Sequence, residues 1–157
     1  MLSGNPDKFA IWFDSVDSWS TDNFRNGCLG YFIAGELIWS LRSTLGVDLH
    51  GLSLLRCMNH AVEDKELFNS PPEIAYERLR ERAFPSLDSD AEASDFAHVV
   101  SAESLSDEGH YLFLVEAGEQ AKLIVGFKDD IGSVRQVLLK HGEFQEVVRD
   151  AIRKFGA

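Results

Sequence analysis

Between residues 8 and 16 the chain reads KFAIWFDSV, with Phe9, Ile11 and Phe13 on one parity and Ala10, Trp12 and Asp14 on the other. Successive side chains of a strand point to opposite faces, so this stretch predicts a strand with one strongly buried face. The next segment, 17–27, is polar and turn-rich and carries Trp19 and Phe24. CLGYFIAGELIWS (28–40) holds two short apolar runs around Ala34-Gly35 and predicts a β-hairpin. STLGVDL (43–49) alternates at Leu45, Val47 and Leu49 and predicts a further strand. LSLLRCMNHAV (52–62) is apolar at 54, 55, 58, 61 and 62, a spacing that predicts a buried helix.

NSPPEIAYERLRERAFP carries the fullest helix signals. Ser70 stands as a cap, Pro71 as the first helical residue and Glu73 three positions after the cap, which together make a capping box. Ala75, Leu79 and Ala83 form a stripe, acids lie early and Arg78, Arg80 and Arg82 late, and Pro85 stops the helix. FAHVVS (96–101) predicts a short strand and 101–109 a polar loop. YLFLVEAGEQAKLIVGF (111–127) predicts a second hairpin turning at 117–120, and SVRQVLL (133–139) another strand. In 143–155, Phe144, Val147, Val148, Ala151, Ile152 and Phe155 recur at helical spacing and predict an amphipathic helix laid on a sheet. The sum is an α+β fold of about seven or eight strands and about three helices, mainly antiparallel, in one domain spanning 1–157.

The totals add a direction. The chain has 157 residues and a net charge of -11. Residues 1–60 contribute -2, residues 61–110 contribute -9 and residues 111–157 contribute zero. The excess peaks in SLDSDAEASDF (86–96), where Asp88, Asp90, Glu92 and Asp95 stand without a basic residue. Such a field disfavours nucleic acid and anionic membrane and favours a basic partner or simple solubility. No apolar run approaches the ~20 residues of a membrane helix, and MLSGNPDKF does not begin as a secretory signal. Two cysteines are too few for a disulfide scaffold, so the expectation is a reduced, cytoplasmic protein.

No motif of catalysis or metal binding stands out. Asp88, Asp90 and Glu92 take the first positions of a calcium loop, but Ala93 stands where glycine is needed and Val99 where a bidentate glutamate belongs. Cys57 and His60 have zinc-like spacing without a second pair. Gly51-Leu52-Ser53 begins like a nucleophile elbow, but Leu55 replaces its second glycine. Trp12 and Trp39 read as core residues, whereas Trp19 lies in a polar loop. The expectation is a binding protein without cofactor or metal.

KFAIWFD, GYFIAGELI, STLGVDL, SLSDEGHYLFLV and VRQVLLKHGEFQEVV, in this order, resemble the immunity protein 42 family of bacterial polymorphic-toxin systems. The likeness is strongest over Gly30–Ile38, Ser104–Val115 and Gly142–Val148. It implies a protein that binds and neutralises a cognate toxin by direct contact and contributes no catalytic residue. A secretion chaperone or adaptor, which would bind several related proteins weakly, is the alternative; a small hydrolase, which would need a deep pocket of convergent ionisable groups, is the third. The candidate contact residues are Asp88, Asp90, Glu92 and Asp95, facing a basic surface such as a nuclease groove, and Asp17, Trp19 and Asp22 in the Asp17–Asn26 loop.

Overall fold

The computed structural model describes residues 1–87 and 93–156. Two antiparallel sheets carry the chain. The first has four strands in chain order, β1 (Leu2–Asn5), β2 (Phe9–Ser15), β3 (Asn26–Ile33) and β4 (Glu36–Thr44). The second has three, β5 (His110–Ala117), β6 (Gln120–Phe127) and β7 (Asp130–Lys140). Helices α1 (Leu45–Ser53), α2 (Lys65–Asn69), α3 (Pro72–Ala83) and α4 (Glu103–Asp107) lie between the sheets in sequence, and α5 (Glu143–Gly156) follows β7. The α+β class and the mainly antiparallel pairing read from the pattern are those of the molecule.

One core joins the inner faces of both sheets. Phe9, Ile11 and Phe13 of β2 and Leu29, Tyr31 and Ile33 of β3 meet Leu112 and Leu114 of β5 and Leu123 of β6. Helix α5 packs into this core through Phe144, Val147, Val148 and Ala151, with Ile152 and Phe155 half-buried beside them. Phe144 stacks on Phe9 at 5.0 Å between ring centroids, and Phe155 meets Phe13 edge-on at 6.0 Å. Each large apolar side chain buried this way contributes roughly 1.5–3 kcal/mol.

A second cluster covers the other face of the three-stranded sheet. Ala75, Tyr76, Leu79 and Ala83 of α3 pack on Phe113, Val115 and Ile124, so the predicted stripe is the docking face. Tyr76 lies flat over Gly126, where a Cβ would come within 2.5 Å of the ring, and its hydroxyl donates to the Lys128 carbonyl at 2.6 Å. The first hairpin turns where the dipeptide predicts: Ala34 and Gly35 have φ of +49° and +86° between the closing pair Ile33↔Glu36. Positive φ at both central residues is the mark of a type I′ turn, whose twist matches that of the flanking strands.

Several expectations give way. Residues 45–49 begin α1 instead of a strand, because Leu45, Leu49 and Leu52 share the buried face while Val47 points to solvent. The helix predicted over 52–62 reduces to the end of α1 and a 3-10 turn at Arg56–Met58. Helix α3 starts one residue later than the capping box requires. Pro71 is its N-cap, and the Ser70 hydroxyl instead donates back to the Glu66 carbonyl at the end of α2. The 96–101 strand is a single bridge, Val99↔Phe113, and the 101–109 loop contains α4. Trp39 is half exposed on the outer face of the four-stranded sheet and Trp12 beside it is partly buried, so neither belongs to the core.

Candidate functional site

The loop between β2 and β3 is held by its own polar side chains. After a 3-10 turn at Asp17–Trp19, the Ser20 hydroxyl donates to the Val16 carbonyl at 2.9 Å and accepts from Asn26 N at 3.1 Å. The Asn26 amide donates to the Trp19 carbonyl at 2.8 Å, and the Thr21 hydroxyl accepts from Phe24 N at 3.1 Å. These bonds hold the loop's backbone, and its apolar rings face out: Trp19 is 47% and Phe24 54% exposed. Asp17 and Asp22 are exposed beside them, without an ion pair among the described residues. Asp17, Trp19 and Asp22 are thus all exposed within this one loop.

The same loop forms a wall of a mainly apolar depression. A cavity of about 570 Å³ lies between Phe24 and Arg25 of the loop, Gly46, Val47, His50 and Gly51 of α1, and Phe155 of α5. Arg25 is held at one side of it: its guanidinium lies 4.3 Å over the Phe155 ring and donates to the Phe155 carbonyl. Thr44, Val47 and Glu103 also line a smaller polar cavity with Arg42, Asp48, Ser104 and Asp107, so the two form one groove. Asp48 fixes its far wall. Helix α4 has no capping side chain of its own, and Asp48 from α1 accepts from Ser104 N at 3.0 Å and from the Ser104 hydroxyl at 2.6 Å. The Ser43 hydroxyl completes this cap from another element. That arrangement seats Glu103 and Asp107 at the rim.

Of the acidic stretch, Asp88, Asp90 and Glu92 lie outside the described residues. Asp95 is exposed and anchored: its N–H donates to the Arg82 carbonyl at the end of α3, and its carboxylate accepts from Ala97 N. Phe84 and Phe96, which flank the stretch, meet edge-on at 5.9 Å.

A polar cavity near Cys57 tests the hydrolase alternative. Glu116 is fully buried and accepts from Val62 N at 2.8 Å and from Gln145 Nε2 at 3.2 Å, with His141 Nε2 at 3.3 Å. These bonds pin the 59–64 segment and α5 to β5. Burial, and then the Glu116 charge, push the Cys57 thiol up to about 12, the opposite of what a nucleophile needs. Among the described residues, no three His, Cys, Asp or Glu side chains are placed to hold a metal ion.

Sequence reasoning missed Phe24, Val47, Gly51, Glu103, Asp107 and Phe155 as neighbours. The signal lay in α1, where 46, 47, 50 and 51 form the face left over once 45, 49 and 52 are assigned to the core.

The whole chain now has relatives. The family model described as Immunity protein 42 matches residues 1–154, so the chain belongs to that family of immunity proteins. The crystal structure of CdiI from Burkholderia dolosa AUO158 is similar over 98% of this chain and 99% of its own, at 63% identity and a TM-score of 0.95. No curated protein matches the chain.

Proposed function

We propose that this protein protects the cell that makes it by binding the toxin of a contact-dependent inhibition system and holding it inactive. One observation carries the reading: membership of the Immunity protein 42 family along residues 1–154, joined to 63% identity with CdiI over nearly the full length of both chains. The protein acts by contact, not catalysis, in the cytoplasm, where free thiols such as Cys28 and Cys57 persist. The residues we assign to its contact surface are Asp88, Asp90, Glu92 and Asp95 of the acidic stretch and, in the Asp17–Asn26 loop, Asp17, Trp19 and Asp22. The partner surface is basic, as a nuclease groove would be. Exposed aromatics anchor protein interfaces, and rim charges steer encounter.

The test pairs the protein with the toxin domain encoded beside it. Co-expression should restore growth, and the purified proteins should form a complex. Replacing Asp88, Asp90, Glu92 and Asp95 by Asn and Gln should slow association several-fold at low salt and flatten its salt dependence, with Tm unchanged. Absence of any complex with the wild-type protein would sink the neutralisation reading. An unchanged association rate would reduce the acidic stretch to a solvated surface.

A further inference from the structure

We infer that the groove between the Asp17–Asn26 loop, α1, α4 and the end of α5 receives a large apolar side chain of the toxin, with a neighbouring lysine or arginine placed against Glu103 and Asp107. The inference rests on the neutralisation reading above and names the chemistry of the contact. The apolar end is open and ready to be filled. Phe24 and Val47 are each about half exposed, and Gly46 and Gly51 add no side chain to the α1 face that Val47 and His50 share. A Cβ at Gly51 would meet nothing within 4 Å. Rings and aliphatic groups left in water at a concave site are where anchor side chains gain most on desolvation.

The charge at the other end decides what flanks the anchor. Arg25 is committed to Phe155. The acidic end has Asp48, Glu103 and Asp107 against Arg42, and neither Glu103 nor Asp107 has an ion pair among the described residues. Asp48 is spent on α4, so the two rim carboxylates are those free to meet a cation. A wholly apolar occupant would leave them desolvated, and an acidic one would be repelled. The occupant of this groove is therefore an apolar residue beside a basic one.

Gly51 supplies a test that separates binding from folding. Gly51→Phe fills the groove from a helical position with open space, and removing a helical glycine does not lower Tm. It should weaken the affinity for the purified cognate toxin domain at least a hundredfold and abolish growth protection. Gly51→Ala, too small to reach across, should bind as wild type. Glu103→Lys with Asp107→Lys, both exposed, should weaken binding tenfold or more and invert the salt dependence of what remains. A folded Gly51→Phe protein that binds within threefold of wild type overturns the groove while leaving neutralisation intact. A wild-type protein that does not bind the toxin domain overturns the neutralisation reading itself, and the groove with it.

Discussion

The two sheets of this molecule are made of similar residues and meet different surroundings. β5 and β6 of the three-stranded sheet are covered on both faces, by the shared core on one side and by α3 on the other, with β7 at the edge. The β5 sequence accordingly runs without alternation: Leu112, Phe113, Leu114, Val115 and Glu116 are all buried. The four-stranded sheet is covered on one face. Leu2, Trp12, Gly30 and Trp39 stand in register across its outer side, with Leu2 41% and Trp39 50% exposed. A continuous apolar run belongs to a sheet packed on both faces, and alternation to one packed on a single face. The comparison teaches where stability is kept and where surface is left for contact. The first sheet, with the loop and helix that leave it, presents the exposed rings, and the second is the anchored platform.

The largest effect should come from the covered sheet. Phe113 is 1% exposed and meets Tyr76 edge-on at 5.7 Å. Phe113→Ala should cost about 3–5 kcal/mol, a large part of the stability of an ordinary domain. Trp39→Ala, removing a larger ring from the bare face, should cost less than about 1 kcal/mol, because half of that ring is already in water. Urea unfolding of the two variants measures both. Equal losses would break the comparison and show that a second copy covers the outer face in solution.

A pair of glycines sharpens it at intermediate size. Gly126→Ala drives a methyl group to within 2.5 Å of the Tyr76 ring, so α3 must lift or the ring must move. The expected loss is about 1–3 kcal/mol. Gly51→Ala, in open space on α1, should instead gain up to about 1 kcal/mol. Opposite shifts of Tm are the expected result. A destabilised Gly51→Ala would mean that α1 is more closely covered than its open face implies.

What could be read from the chain follows the same division. The hairpins at Ala34-Gly35 and 117–120 and the stripe of α5 were legible because turn chemistry and periodicity agreed there with the final packing. α1 was misread because Leu45, Val47 and Leu49 fit a period of two as well as Leu45, Leu49 and Leu52 fit a helix; only the position of the core, a tertiary fact, separates them. β1 was not found at all. LSGN has no apolar pattern, and its place rests on pairing with β2 and on Lys154 Nζ donating to the Leu2 carbonyl. α4 was hidden for a related reason, since its cap, Asp48, lies 55 residues before the helix starts at Glu103. The loop that walls the groove was legible as a polar, turn-rich connection carrying Trp19 and Phe24. The groove was not, because it exists only where four separate segments meet.

The smallest effect concerns the two thiols, one on the outer face of the first sheet and one in the core beneath it. Cys28 is partly buried on the outer face of the four-stranded sheet, with its pKa raised by burial and then by Asp14 across the strand pair. Cys57 is in the common core, pushed from 9.0 up to about 12. A thiol reagent at pH 8 should modify Cys28 slowly and Cys57 only on unfolding, because the thiolate is the reacting form. The same shift makes a stability statement. With its pKa raised on folding, Cys57 holds its proton longer in the native state than in the unfolded one. Its contribution is complete below about pH 9 and is lost as pH rises towards 12. Burial shifts Tyr31 and Tyr76 upward too, but both are present in wild type and in Cys57→Ala, so their effect cancels between the two. The stability gap between wild type and Cys57→Ala should therefore narrow from pH 9 upward. A gap that stays constant through that range would show that Cys57 ionises in the folded protein as readily as in the unfolded chain, and that the core beneath the first sheet admits water.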